Sequence, residues 1–238
     1  MDTKNVIAAI SLSAAVIILY TLFFAPSPQE LKKIQEENKS QVTDTTEAPN
    51  LEVEEKIIEI SRDEAKSKNQ RVEFENLSIK GSISLKGGLI DDLTFKKYTE
   101  TLDGNDQVVL LNPKNLNNGY YIDTGWVTNS ENIEVPNNKT TWEVIGNTKL
   151  TPNNPLILSW KNNQGIIFNK KITIDEEYLF TINQSIKNNT DKKYNFYSYG
   201  QIIRNTAPKV TNFYILHEGL LGVFDDQLIE EDYDDIEE

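Results

Sequence analysis

The side chains that could do chemistry are few. The sequence holds one histidine, His217, and no cysteine. His217-Glu218 is an acid–base pair in type, but a general base needs a partner that orients it. It stands at the end of the apolar run Phe213-Tyr214-Ile215-Leu216, which reads as structural. Asp91-Asp92 could begin a cation site, but no EF-hand spacing follows. The same pair would mark a bulge or bend in a strand. Trp126, Trp142 and Trp160 could line a sugar cleft, although tryptophan in an all-β domain is more often core. Asn183-Gln184-Ser185 has the form of a glycosylation sequon and reads as chance in so Asn-rich a chain. No dinucleotide-binding, P-loop, nucleophile-elbow or zinc-protease pattern is present. Without cysteine there is no disulfide, no Cys zinc or iron–sulfur site and no thiol nucleophile. The expectation is a chain with no catalytic residue, no metal, no cofactor and no small-molecule substrate, and therefore not an enzyme.

Charge narrows the partners. Lys and Arg number 24 against 37 Asp and Glu, for a net charge of −13 in 238 residues. Such a surface repels phosphates, so nucleic acid is excluded. Nine of the acids, and no base, fall in residues 225–238. That end reads as a solvated tail, or as a domain that the chain leaves partway through.

The elements that would position these groups are mostly strands. Residues 71–75 alternate with period 2, as a half-buried strand should. Along 77–85, Leu77, Ile79, Ile83 and Leu85 are expected to point one way, and Lys86-Gly87-Gly88 turns the chain. Residues 89–97 read as a strand. Further strands are expected at 108–111, 140–145, 156–160, 165–174, 178–186, 194–203, 212–216 and 220–224. Asn- and Gly-rich turns such as 162–165 and 188–191 separate several of them. The spacing near ten residues predicts an antiparallel sandwich or barrel. Ser61-Arg62-Asp63-Glu64 has the form of a capping box opening a brief helix.

The N-terminal part differs. Residues 6–24, VIAAISLSAAVIILYTLFF, carry no charge. As a helix they would span roughly 28 Å, close to the ~30 Å of bilayer hydrocarbon. Pro26 and Pro28 would stop that helix. A buried core helix and a cleaved signal peptide are the alternatives. The latter lacks the small residues a cleavage site needs, since Phe23-Phe24-Ala25 precedes Pro26. An uncleaved membrane anchor is expected. Lys and Arg on its two flanks do not decide its orientation. Residues 25–70 are polar and read as a tether. The expected organisation is a short cytoplasmic segment at 1–5, an anchor at 6–24, a tether at 25–70 and a β domain at 71–238.

Several stretches taken together resemble YidC-type membrane protein insertases, in particular alphaproteobacterial forms. They are the N-terminal MDTKNVIAAISLSAAVIILYTLFF, then LSIKGSISLKGGLIDDLTFKKYTET, YYIDTGWV, LSWKNNQGIIFNKKITIDEEYLFTINQSIKN and YSYGQIIRNTAPKVTNFYILHEGLLGVFDDQLIEEDYDDI, in that order. The resemblance implies a bacterial inner-membrane protein with an N-in first helix and a periplasmic β-supersandwich. It implies lipid, nascent membrane proteins and the Sec translocon as partners. In the family, five further transmembrane helices form a groove whose basic residue receives substrate. No residue here matches that basic residue, so no insertase site is carried over. The chain is expected to be an N-terminal fragment with an incomplete sandwich. Other readings of the same residues are an anchored sugar-binding or mutarotase-like enzyme and a stand-alone anchored scaffold.

Overall fold

Alternation along Arg71–Glu75 sends Val72 and Phe74 into the core and leaves Arg71, Glu73 and Glu75 on the opposite face; this strand, β1, has the expected bounds. The structure, a computed structural model, describes residues 60–207 and 217–233. The expected membrane helix at 6–24, the tether up to residue 59 and the expected strand at 212–216 lie outside the described residues. After β1 come β2 (Ile79–Ser84), β3 (Leu89–Thr99), β4 (Gln107–Leu111), β5 (Tyr120–Val127), β6 (Glu143–Ile145) and β7 (Lys149–Leu150). Then follow β8 (Leu156–Lys161), β9 (Ile166–Ile174), β10 (Phe180–Asn188), β11 (Tyr197–Arg204), β12 (Gly219–Phe224) and β13 (Gln227–Asp232).

One sheet has the order β11-β5-β3-β2-β1-β7, with β4 also paired to β3. A second has the order β10-β9-β8-β6. Among the described residues, every strand pairing in these two sheets is antiparallel except the short β1–β7 pair. The inner faces share one core. Phe74, Ile79, Ile83, Ile90 and Trp126 come from the first sheet, and Leu156, Leu158, Ile166, Phe168 and Ile172 from the second. Phe168 is the hub, with ring centroids 5.3 Å from Trp126, 5.7 Å from Trp160 and 5.5 Å from Phe196. The fold is thus an antiparallel β-sandwich, as the strand spacing predicts.

The brief helix α1 (Arg62–Ser67) precedes β1. Ser61 caps it, its Oγ accepting the Glu64 amide at 3.2 Å. Ala65 is buried, so α1 is docked on the domain. Gly81 is required where β2 pairs closely with β3 beside the bulge: a Cβ there would lie 1.9 Å from the Asp92 carbonyl oxygen and 2.6 Å from the Phe74 ring.

Four expectations are corrected. Leu77 does not join Ile79, Ile83 and Leu85 in the core; it sits on the β1–β2 turn, 67% exposed. There Asn76 reverses the chain by accepting the Ser78 and Ile79 amides, each at 2.8 Å. β5 is absent from the expected strands because Asp123-Thr124-Gly125 interrupts its apolar pattern, yet β11 pairs with it along its whole length. The strand expected at 140–145 is confined to Glu143–Ile145. The acidic end is not all tail: Asp225 and Asp226, with φ of 49° and 63°, turn the chain so that β13 pairs with β12. Left-handed conformations at both positions suit Asp and match the twist of a two-residue hairpin loop.

Candidate functional site

A cavity of about 590 Å³ lies between α1 and the outer face of β1, β2 and β3. Its charged groups come from Arg62, Asp63 and Lys66 of α1, Arg71, Glu73 and Glu75 of β1, Lys80 of β2, Asp92 of β3 and Lys149 of β7. The register explains why Asp92 reaches it while its neighbour Asp91 is turned to a different partner. Ser82 faces Asp92 and Ile83 faces Ile90, so Asp91 is the extra residue of a β-bulge. The bulge turns Asp91 and Asp92 to separate arginines. Arg71 on β1 reaches across β2 to Asp91, and its Nε donates to Ser82 Oγ at 2.7 Å. Arg62 on α1 pairs with Asp92 and donates to Thr94 Oγ1 at 3.2 Å. Ser82 Oγ also donates to Asp92 Oδ2 at 2.5 Å.

Asp91 and Asp92 are both buried. Burial pushes the Asp91 carboxyl up from its ordinary range, and the Arg71 guanidinium only partly offsets this. At the rim, hydrogen bonds from Lys96 and Lys149 hold the Glu75 carboxyl below its ordinary value. The floor of the cavity is therefore a set of arginines and carboxylates already engaged with one another. It fastens α1 to β3, through Asp92 and Thr94, and β1 to β3, through Arg71 and Asp91.

A second buried charge lies inside the sandwich. β9 alternates strictly, and its inward positions are Ile166, Phe168, Lys170, Ile172 and Ile174. Lys170 is 1% exposed. Its Nζ crosses to the other sheet, donates to the Thr124 carbonyl on β5 and lies 4.9 Å from the centroid of the Trp142 ring. Burial lowers the Lys170 ammonium to about 8, with Asp123 opposing the shift. Burial also raises Asp123, and Tyr199 on β11 donates to Asp123 Oδ2 at 3.3 Å. Burial and the Asp123 charge push the Tyr199 phenol up as well. Gly88, at φ +67°, permits the close packing here: a Cβ would meet Trp142 Nε1 at 2.9 Å and Lys170 Nζ at 3.2 Å.

The residues singled out from sequence are scattered. His217 does not work with Glu218; its Nδ1 pairs with Asp232 Oδ1 at 2.8 Å across the β12–β13 hairpin. Asp91 and Asp92 face arginines, and no group of three or more His, Asp or Glu that could hold a metal occurs among the described residues. Trp126 and Trp142 are buried in the core and Trp160 packs against it, so the three line no cleft. Asn183 and Ser185 lie exposed on β10, with Gln184 between them facing inward. Sequence reasoning does not find the roles of Arg62, Arg71, Lys170 and Asn76. A lysine at an inward position of a period-2 run is the one available signal for Lys170. Arg71 carries none, because its partner is brought near only by a bulge.

Residues 71–238 match the family described as the YidC periplasmic domain. Three relatives bear the name membrane protein insertase YidC. The one from Pelagibacter ubique is 55% identical over 239 residues, covering 100% of this chain and 42% of the relative. The one from Rickettsia felis is 38% identical, covering 98% and 41%. The one from Mesorhizobium japonicum is 30% identical, covering 93% and 40%. The chain thus spans about two-fifths of the length of these relatives.

Proposed function

The chain belongs to the YidC family, with residues 71–238 forming its periplasmic domain, and from this we propose that it is the anchor and periplasmic part of a membrane protein insertase. Residues 1–5 stay in the cytoplasm, residues 6–24 cross the inner membrane N-in, and the tether expected at 25–70, its end docked on the domain through α1, holds the β-sandwich in the periplasm. The family match, behind 19 uncharged residues at 6–24, carries this reading.

The contribution of this part is non-catalytic. It holds the sandwich at the bilayer and offers surfaces to nascent membrane proteins and to Sec translocon components during insertion and folding. Sugar chemistry of the mutarotase kind would need an acid and a base facing an open cleft. His217 instead pairs with Asp232 on an exposed hairpin, and the arginines and carboxylates beneath α1 engage each other. These arrangements support binding surfaces over turnover.

Photocrosslinking tests the proposal. A photoreactive side chain is placed at exposed Ile202 or Leu221 in the full-length insertase, and membrane protein synthesis is then pulsed. Adducts to nascent membrane proteins or to translocon subunits are expected. Their absence at both positions, together with anomer interconversion by the chain, would overturn it.

A further inference from the structure

One end of the sandwich is built differently from the rest. β1 leaves at Glu75, β2 enters at Ile79, β3 ends at Thr99, β9 ends at Ile174 and β10 begins at Phe180. Asn76 ties the two sheets together here. Its Nδ2 donates to the carbonyl oxygens of Asp175 and Glu177, each at 2.8 Å, while its Oδ1 holds its own turn. Lys97 Nζ donates to Ser78 Oγ at 3.0 Å, and Lys96 Nζ to the Asn76 carbonyl at 2.8 Å. Phe95 packs edge-on against Tyr98 and Tyr178, with centroids 5.7 and 5.8 Å away. The end is therefore a braced platform and not a set of loose turns.

This platform carries apolar groups that the sandwich does not use. Leu77 is 67% exposed, Leu179 63% and Tyr98 55%. Leu102 is fully exposed at the turn of the β3–β4 hairpin, which projects beyond Thr99. Leucine beside tyrosine, with lysine stems nearby, is the composition of a surface that sits at a lipid headgroup boundary. A braced scaffold keeps such side chains outward, where a loose turn would fold them back.

The chain outside the described residues says what the platform meets. Residues 25–59 separate the uncharged segment 6–24 from Ile60. A flexible chain of that length has an end-to-end distance on the order of 30 Å. A bilayer holding residues 6–24 is then always within reach, at the high effective concentration of a tethered partner. We propose that the end of the sandwich bearing Leu77, Tyr98, Leu102 and Leu179 docks onto the lipid surface. This rests on the anchor reading above. Apolar burial drives the docking. Charge opposes it on anionic lipid, since Glu176 and Glu177 precede Tyr178 and the chain carries −13 overall.

The absence of cysteine makes the test clean. Leu179→Cys, Leu102→Cys and, on the turn at the other end of β9, Asn163→Cys are each labelled with an NBD fluorophore in the full chain. Each is reconstituted into phosphatidylethanolamine–phosphatidylglycerol vesicles containing a headgroup-level nitroxide lipid, and flotation is recorded first. If the chain does not float with the vesicles, the anchor reading fails and takes the inference with it. If it floats, quenching at 179 and 102 at least twofold greater than at 163 is expected. Leu77→Asp should bring the 179 signal down toward that at 163, with near-UV circular dichroism unchanged. Equal quenching at all three positions overturns the docking while leaving the anchor standing. A blue shift at 179 without quenching places protein, not lipid, on the platform and also overturns it.

Discussion

Arg71 on β1 reaches past β2 to the carboxylate of Asp91, the one residue that β3 pushes out of register with Ser82 and Ile83. Asp92 beside it is taken by Arg62 of α1. Two carboxylates on consecutive residues thus fasten one end of the helix and the start of the first strand.

Breaking one of these pairs should cost more than replacing it. Asp91→Asn leaves the Arg71 guanidinium buried without a counter-charge, and a loss of about 3 kcal/mol is expected. The double substitution Arg71→Met with Asp91→Leu should recover most of that. Urea unfolding of the full chain in detergent, compared at equal m, checks both. A double variant as unstable as the single one would show that hydrogen bonds to Ser82, and not charge, dominate.

Lys170 gives the domain a pH dependence whose sign is fixed by burial. Its folded value, about 8, lies below the ordinary lysine value of 10.5. Between the two the unfolded chain holds a proton that the folded chain has released, so stability rises with pH there. The gain should reach about 2–3 kcal/mol by pH 10. Above that, Tyr199 works the other way, because its folded phenol resists ionisation. Lys170→Met should flatten the rise between pH 8 and 10. Thermal unfolding at stepped pH measures it, and an unchanged slope in the variant would contradict the assignment.

Much of this fold can be read directly from residues. β1 and α1 announce themselves because each is a local pattern, alternation in one and a cap in the other, whose cause lies within five or six residues. β5 cannot be read this way, since Asp123-Thr124-Gly125 looks like a turn until β11 supplies its partner. Leu77 reads as core because alternation does not say where a strand ends. The four hydrogen bonds of the Asn76 side chain decide that, and two of them go to residues about a hundred positions away. The cavity beneath α1 is legible only in part: Asp91-Asp92 marks the bulge that the register shows, but the reach of Arg71 and Arg62 to those carboxylates leaves no mark on spacing. The type of domain comes through, but the placement of its charges does not.

The hairpin at the acidic end depends on its two-residue turn. Asp225 and Asp226 both adopt left-handed backbone conformations. The double substitution Asp225→Asn with Asp226→Gly installs the pair that such a turn favours, and it should stabilise the hairpin by roughly 0.5–1 kcal/mol. Slower amide exchange at Gly222 and Ile229, a pair that faces across it at a hydrogen-bonded position of the ladder, would register the gain. Faster exchange would contradict the turn assignment.

Residues 6–24 are proposed to remain in the lipid and to hold a non-catalytic β-sandwich on the far side of the inner membrane. Protease added to spheroplasts expressing the full chain tests it most directly, with alkaline carbonate extraction of the same cells. The expected result is digestion of the sandwich without lysis, and an N-terminal piece including residues 6–24 that stays in the carbonate-resistant membrane. A sandwich protected until lysis, or a mature chain that lacks residues 6–24, would contradict it.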